Sequence, residues 1–159
     1  MTYIRSNVPP TGREDQHILL VDDNELNRRM IERILRAFGI TQICHASDGR
    51  EALETARLYF RPNVIITDWD MKPMNGLAFV AVLRTTQPSS ANIPVVMVST
   101  RTGESAVRAA MDAGVDEYLT KPVNPAALYT VLARVTGNLG IGKASVAPRA
   151  LPDNTGSLS

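Results

Sequence analysis

The sequence predicts an α/β domain with a doubly wound, five-stranded parallel sheet over residues 16–137. Short apolar runs alternate strictly with longer amphipathic stretches, and this order is typical of parallel sheets with helices on both faces. The third and fourth apolar runs, NVIIT and IPVVMV, are almost continuous, as in strands that are buried on both sides. With 44% hydrophobic and 21% charged residues, the composition matches ordinary globular domains and excludes a largely disordered, collagen-like or coiled-coil chain.

Hydrophobic spacing and local start and stop signals define the elements in chain order. The first helix repeats apolar residues from Leu26 to Phe38 at helical spacing and ends at Gly39. The second helix begins with Asp48 and Glu51, which have the spacing of a capping box. The predicted strands are 17–21, 41–46, 63–67, 93–98 and 115–120, and the predicted helices are 25–38, 48–60, 77–86, 104–112 and 125–135.

The later helices follow from the same kind of signal. The third helix comes after a loop that carries Pro73 and Gly76, and the fourth is short and rich in alanine. The fifth begins at Asn124-Pro125, since asparagine is a good N-cap and proline suits the first helical position. We interpret residues 1–15 and 138–159 as flexible tails, because they contain Pro, Gly and Ser without a hydrophobic period.

Charge and cysteine content limit the partners and the compartment. Lys and Arg number 17 and Asp and Glu 16, so the net charge of +1 predicts neither a nucleic-acid nor a membrane partner. A single cysteine, Cys44, cannot form an internal disulfide and fits a reducing compartment. The N-terminus lacks the apolar core of a signal peptide, and no apolar run approaches the length of a membrane span. We therefore expect a soluble cytoplasmic protein.

Polar side chains occur where the predicted strands end. Asp22 and Asp23 follow the first strand, Asp68 the third, Ser99 the fourth and Lys121 the fifth. Ligands of open α/β sheets bind outside the carboxyl ends of the strands, so we expect these groups to converge on one rim.

The chemistry of that rim favours a divalent cation and a phosphoryl group. Three clustered carboxylates repel one another unless a cation joins them. Oxygen ligation by few protein groups suits Mg²⁺, which keeps several waters and often binds a phosphate oxygen. A lysine opposite the metal adds a point charge for a phosphoryl group, and a carboxylate can act as the nucleophile that forms an acyl phosphate.

These segments together resemble the receiver domain of two-component response regulators, the CheY-like family. The resemblance covers residues 16–137 and has every motif in order: Val21-Asp22-Asp23, Ile66-Thr67-Asp68-Trp69-Asp70-Met71-Lys72-Pro73-Met74-Asn75-Gly76, Val98-Ser99-Thr100 and Lys121-Pro122. It implies a (βα)₅ flavodoxin-like fold with strand order 2-1-3-4-5. Ser99 stands where the family often has threonine and Val123 where it commonly has phenylalanine, and neither change removes the chemistry.

The resemblance implies a role for each matching residue of the acidic rim. Asp68 would be the phosphoacceptor. Asp22 and Asp23 would hold Mg²⁺ together with Asp68 and the backbone carbonyl of Asp70. Ser99 would supply the hydroxyl that bonds the phosphoryl group.

The resemblance also implies roles for four residues around the rim. Lys121 would be the lysine of the family, with a cis peptide bond to Pro122, and Tyr118 would be its switch aromatic. Trp69 and Arg101 would flank the site. We expect Arg101 to form an ion pair with Asp70 across the mouth of the site.

The implied function is that of a single-domain response regulator. A sensor histidine kinase or histidine phosphotransfer protein would phosphorylate Asp68, and the phosphorylated chain would bind a downstream protein target. We expect a switch protein that promotes its own phosphotransfer and autodephosphorylation rather than an enzyme. A monomer is the expected state, with a dimer as the alternative.

Two other functions stay open. Asp68-Trp69-Asp70 matches the Asp-x-Asp signature of haloacid-dehalogenase-type phosphatases, with Asp68 as nucleophile and Asp70 as general acid–base, but this leaves the preceding acidic pair unexplained. The second alternative is a receiver-like scaffold that binds partners without phosphorylation. The first helix carries four arginines that predict a solvated face or a contact with an acidic partner, and we interpret His17 and His45 as structural or exposed.

Overall fold

The computed structural model describes residues 16–58, 60–86 and 91–137, so both predicted tails lie outside the described residues. All ten predicted elements are present in the predicted order. The strands are β1 (His17–Val21), β2 (Gln42–Ala46), β3 (Val64–Thr67), β4 (Val95–Ser99) and β5 (Glu117–Thr120). The helices are α1 (Glu25–Ala37), α2 (Gly49–Leu58), α3 (Gly76–Thr86), α4 (Glu104–Ala113) and α5 (Pro125–Thr136).

The strands β2 and β3 begin one residue later than predicted, and β4 and β5 begin two residues later. β4 begins at Val95 because Pro94 has no N–H to donate to the sheet. β5 begins at Glu117 because the N–H of Val115 donates to the carbonyl of Ala110, which makes residue 115 part of the end of α4. The predicted strands therefore included apolar residues that lie outside the observed strands.

The five strands form one parallel sheet in the order β2-β1-β3-β4-β5, as the family resemblance implied. Val21 at the end of β1 aligns with Ala46 of β2 and with Thr67 of β3, and Ser99 of β4 aligns with Thr120 of β5. The carboxyl ends of the strands therefore lie at one edge of the sheet. The strand order reverses between β1 and β3, which is where open α/β sheets bind ligands.

Alternate side chains of each strand lie in two hydrophobic cores, one on each face of the sheet. Leu19 and Ile65 face one core, which α2, α3 and α4 cover. Ile18, Leu20 and Ile66 face the other, which α1 and α5 cover. This follows from the two-residue side-chain period of a strand, and it leaves the strand ends as the polar edge of the domain.

The helix starts behave largely as predicted. The side chain of Asn124 accepts the N–H groups of Ala126 and Ala127 at the start of α5. Asp48 likewise accepts the N–H groups of Arg50 and Glu51. The carboxylate of Glu51, however, accepts from the Ser47 hydroxyl at 2.7 Å, so the start of α2 shows the Asp48 half of the predicted capping box.

Arg84, near the end of α3, joins three segments. Its guanidinium donates to the carbonyls of Ala91, Ile93 and Gly114 and to the carboxylate of Asp116. Gly114 ends α4 with φ +111°, a left-handed conformation that favours glycine. Arg84 thus ties α3 to the starts of β4 and β5. Within the described ranges, none of the helices has the length and apolar character needed to cross a membrane.

Candidate functional site

Three carboxylates meet at the switch point of the sheet. Asp22 follows β1 and Asp68 follows β3, and both are buried, whereas the neighbouring Asp23 is exposed. One oxygen from each carboxylate lies within 4.8 Å of the others. The structure therefore brings together three acidic residues that the sequence placed after two separate strands.

Lys121 completes this cluster from the end of β5. Its Nζ lies 3.2 Å from Asp22 Oδ2 and 3.2 Å from Asp68 Oδ2. Its backbone N–H donates to the carbonyl of Ser99 at 2.9 Å, which places it beside the end of β4. The Lys121–Pro122 peptide bond is cis, as the resemblance implied, and the Lys72–Pro73 bond is also cis, which no sequence signal indicated.

The backbone around Asp68 is held tightly. Its N–H donates to the Val21 carbonyl at 2.8 Å, and its Oδ1 accepts the Trp69 N–H at 2.7 Å. A Cβ at position 76 would lie only 2.1 Å from the Asp68 carbonyl oxygen. Glycine at the start of α3 is therefore required for the helix to approach the strand end this closely.

The electrostatics of the cluster are those of a site that attracts cations. Burial raises the pKa of Asp68, and the charge of Asp22 raises it further, while Lys121 and the Trp69 N–H act in the opposite direction. Burial alone would lower the pKa of Lys121, but the charges of Asp22 and Asp68 outweigh it and raise that pKa. One lysine therefore serves two buried carboxylates, and a further cation would be favoured there.

The donor set fits a hard metal ion. Asp22, Asp23 and Asp68 offer carboxylate oxygens within reach of one ion, with few protein ligands and an exposed side. Such a set suits Mg²⁺, which prefers oxygen and keeps several of its waters.

Ser99 and Tyr118 both contact the loop after β4. Ser99 is the last residue of β4 rather than the first residue after it, and its buried Oγ accepts the Arg101 N–H at 3.1 Å. Tyr118 is buried, and its hydroxyl donates to the Arg101 carbonyl at 2.7 Å. The backbone of Arg101 is thus held by both residues.

The side chain of Arg101 lies across the mouth of the site. Its guanidinium donates to the Asp70 carboxylate at 2.7 and 3.1 Å and lies over the Trp69 ring, with Cζ 4.7 Å from the ring centroid. The hydrogen bond from Arg101 lowers the pKa of Asp70. The structure contains the ion pair that the sequence predicted, and both partners are about half exposed.

Sequence reasoning missed two residues near the rim. Arg28 of α1 donates to the backbone carbonyl of Asp22, and His45 of β2 accepts from Arg28. Neither has a motif of its own, because the contact depends on how α1 is rotated against β2.

The comparison with known proteins agrees with this geometry. A family model for the response regulator receiver domain matches residues 18–133. The chain belongs to this receiver family. It is 37% identical over 120 residues to chemotaxis protein CheY1 of Helicobacter pylori, which covers 76% of this chain and 96% of that protein.

Solved receiver structures show the same fold. The chemotaxis response regulator CheY4 of Vibrio cholerae has a TM-score of 0.69 at 35% identity, covering 76% of this chain and 98% of that one. The receiver domain of Francisella response regulator 1452 has a TM-score of 0.69 at 26% identity, covering 77% and 97%. The receiver family thus accounts for the strand order and for the position of the acidic pair, which the phosphatase alternative leaves unexplained.

Proposed function

We propose that this chain acts as a response regulator in which Asp68 accepts a phosphoryl group from a phosphohistidine. The donor is a sensor histidine kinase or a histidine phosphotransfer protein. The observation that supports this best is the arrangement of Asp68, whose Oδ2 lies 3.2 Å from Lys121 Nζ beside two further carboxylates at the ligand edge of the sheet. We place the protein in the cytoplasm, where a kinase has access to ATP.

The transfer is an in-line displacement at phosphorus. The phosphorus–nitrogen bond of the donor breaks, the Asp68 carboxylate forms a new phosphorus–oxygen bond, and the donor imidazole leaves with its electron pair and takes a proton. Asp22, Asp23, Asp68 and the backbone carbonyl of Asp70 would hold Mg²⁺, which would neutralise charge on the phosphoryl oxygens.

Lys121 and Ser99 provide charge and hydrogen bonding from the chain itself. Once Asp68 is phosphorylated, the Lys121 ammonium pairs with phosphoryl oxygens in place of the lost carboxylate charge. The Ser99 hydroxyl accepts the Arg101 N–H, but a hydroxyl can also donate, so its proton is available for the phosphoryl group.

The signal then passes through the β4–α4 loop. Arg101 connects this loop to Ser99 and to Tyr118, so a hydroxyl that turns toward the phosphoryl group changes how the loop is held. In α4 only Ala110 is buried, which makes the helix a low-stability element whose position a small free-energy change can bias. The shifted population binds a downstream protein target.

Two assays distinguish this proposal from the alternatives. Incubation with Mg²⁺ and radiolabelled acetyl phosphate is expected to give a stoichiometric label that hydroxylamine releases, as an acyl phosphate requires. Continuous turnover of p-nitrophenyl phosphate would instead support the phosphatase. Absence of any label would leave the phosphorylation-independent scaffold.

A further inference from the structure

A chain of four side chains from α1 and β2 ends on the backbone of Asp22. Arg36 Nε donates to Glu32 Oε2 at 2.7 Å, and Glu32 Oε1 lies 2.5 Å from His45 Nε2. His45 Nδ1 accepts from Arg28 Nε at 3.1 Å. Arg28 Nη1 then donates to the backbone carbonyl of Asp22.

The direction of each hydrogen bond in this chain is determined by arginine. A guanidinium only donates, so His45 Nδ1 must be the acceptor and Nε2 must carry the proton toward Glu32. Glu32 stays ionised, because the hydrogen bond from Arg36 lowers its pKa and outweighs the opposing effect of burial. His45 therefore has one tautomer and one orientation, and it fixes the orientation of Arg28.

Both backbone polar groups of Asp22 form hydrogen bonds to residues of β2 or α1. Its N–H donates to the carbonyl of Ala46 in β2 at 3.1 Å, and its carbonyl accepts from Arg28. A cavity of about 10 Å³, roughly one water-sized sphere, is lined by Asp22, Arg28, Thr67 and Asp68 among others. The hydrogen bonds to Ala46 and from Arg28 therefore hold the backbone of Asp22 at both of its polar groups.

We infer that Arg28 is a positioning residue that holds the backbone of Asp22, and with it the acidic pair, in the geometry that binds Mg²⁺. His45 and Glu32 support this role, because their hydrogen bonds orient the Arg28 guanidinium. This inference rests on the proposed function only in the choice of Mg²⁺ as the cation.

Charge and positioning predict opposite effects when Arg28 is neutralised. Arg28 carries a positive charge beside a cation site, so charge alone predicts that its loss strengthens Mg²⁺ binding. Positioning predicts that its loss weakens Mg²⁺ binding, as seen generally when groups that orient metal ligands are removed. The sign of the change therefore identifies the role.

The test is a Mg²⁺ titration of the full chain, followed by the fluorescence of Trp69, the only tryptophan. Arg28→Gln is expected to weaken binding about three- to tenfold, at or below the low end of the effect for groups that orient metal ligands directly. Arg29→Gln is the matched control. Arg29 is the next residue of α1 and pairs with exposed Glu25, so its variant should stay within about twofold of the wild type.

The His45 variants test whether His45 supports Mg²⁺ binding by orienting Arg28. His45→Leu should weaken Mg²⁺ binding in the same direction, and His45→Gln, which keeps an acceptor and a donor, should restore most of it. In a double-mutant cycle, Arg28→Gln and His45→Leu should be clearly non-additive, because they break one linkage. The imidazole ¹⁵N–¹H spectrum of the wild type should show the Nε2–H tautomer of His45.

Several results would overturn the inference. They are unchanged or tighter Mg²⁺ binding in Arg28→Gln, an equal loss in Arg29→Gln, or no Mg²⁺ response in the wild type. If Arg28→Gln does not fold, the His45→Leu and His45→Gln pair decides alone. The titration uses no phosphodonor, so a wild type that binds Mg²⁺ but takes no label from acetyl phosphate would contradict the proposed function and leave this inference standing.

Discussion

Replacing Lys121 by methionine should destabilise the metal-free protein, and the loss should depend on pH. The side chain of Lys121 is 17% exposed and pairs with two carboxylates that are 5% and 9% exposed. Methionine has a similar length and no charge, so it removes the pairing with little change in volume. The buried carboxylates of Asp22 and Asp68 then face each other without a cation.

The magnitude follows from that separation. Carboxylate oxygens within 4.8 Å of each other repel by about 3.5 kcal/mol at an effective dielectric of about 20. Removing one partner of a buried ion pair typically costs about 3–5 kcal/mol. Because Asp23 and solvent lie on one side of the cluster, we expect a loss of about 3 kcal/mol in the free energy of unfolding at neutral pH.

The pH dependence has a definite sign. Burial and the Asp22 charge already raise the pKa of Asp68, and removal of Lys121 takes away an opposing cause, so that pKa rises further. A group whose pKa is raised by folding stabilises the fold below its unfolded pKa, and this contribution is lost as pH rises through the folded pKa. The difference between Lys121→Met and wild type should therefore be largest near neutral pH and shrink in acid.

Urea unfolding in EDTA at about pH 8 and about pH 4.5 measures both effects. Lys72→Met, in the exposed loop after β3, is the matched control and should change the free energy of unfolding by no more than about 0.5 kcal/mol. A Lys121→Met variant as stable as wild type at about pH 8, or one equally destabilised at both pH values, would refute the reasoning.

Three further predictions concern the surroundings of the cluster. Asp23→Asn should weaken the Mg²⁺ response of Trp69 fluorescence. Because one of three repelling carboxylates is gone, it should also raise the free energy of unfolding without metal by about 0.5–1 kcal/mol, and a loss of stability there would contradict this. Arg101→Ala should release phosphate from the phosphorylated protein several-fold faster than wild type, because it removes the side chain that spans the mouth of the site. If Asp70 instead orients the attacking water, Asp70→Ala should slow the release. Arg84→Met should lower the free energy of unfolding by about 2–3 kcal/mol, since it leaves several carbonyls without their charged donor, while Mg²⁺ affinity stays unchanged.

Strand–helix alternation and the cap residues were enough to predict every element, but not the residue at which each strand begins. Ile93 and Val115 are apolar and adjoin strands, yet they lie outside β4 and β5, because ladder membership depends on hydrogen bonds that apolar character does not encode. The strand order came from the family resemblance, since periodicity does not say which strands are neighbours.

The charged centre of the site could be predicted because parallel strands bring their carboxyl ends to one edge. That rule alone placed Asp22, Asp68 and Lys121 together. It could not identify Arg28 or His45, whose contact spans α1 and β2 and depends on the rotation of the helix. On the sequence Arg28 is one of four arginines of α1, and only the packed structure distinguishes it from Arg29.

The most direct test of the central claim is the intact mass of the protein after incubation with acetyl phosphate and Mg²⁺. Wild type should gain a single phosphoryl group, Asp68→Asn should gain none, and Asp70→Asn, which keeps its backbone carbonyl, should still gain one. Gain of a phosphoryl group by Asp68→Asn at the wild-type level, or none in the wild type, would contradict the assignment of Asp68 as the phosphoacceptor.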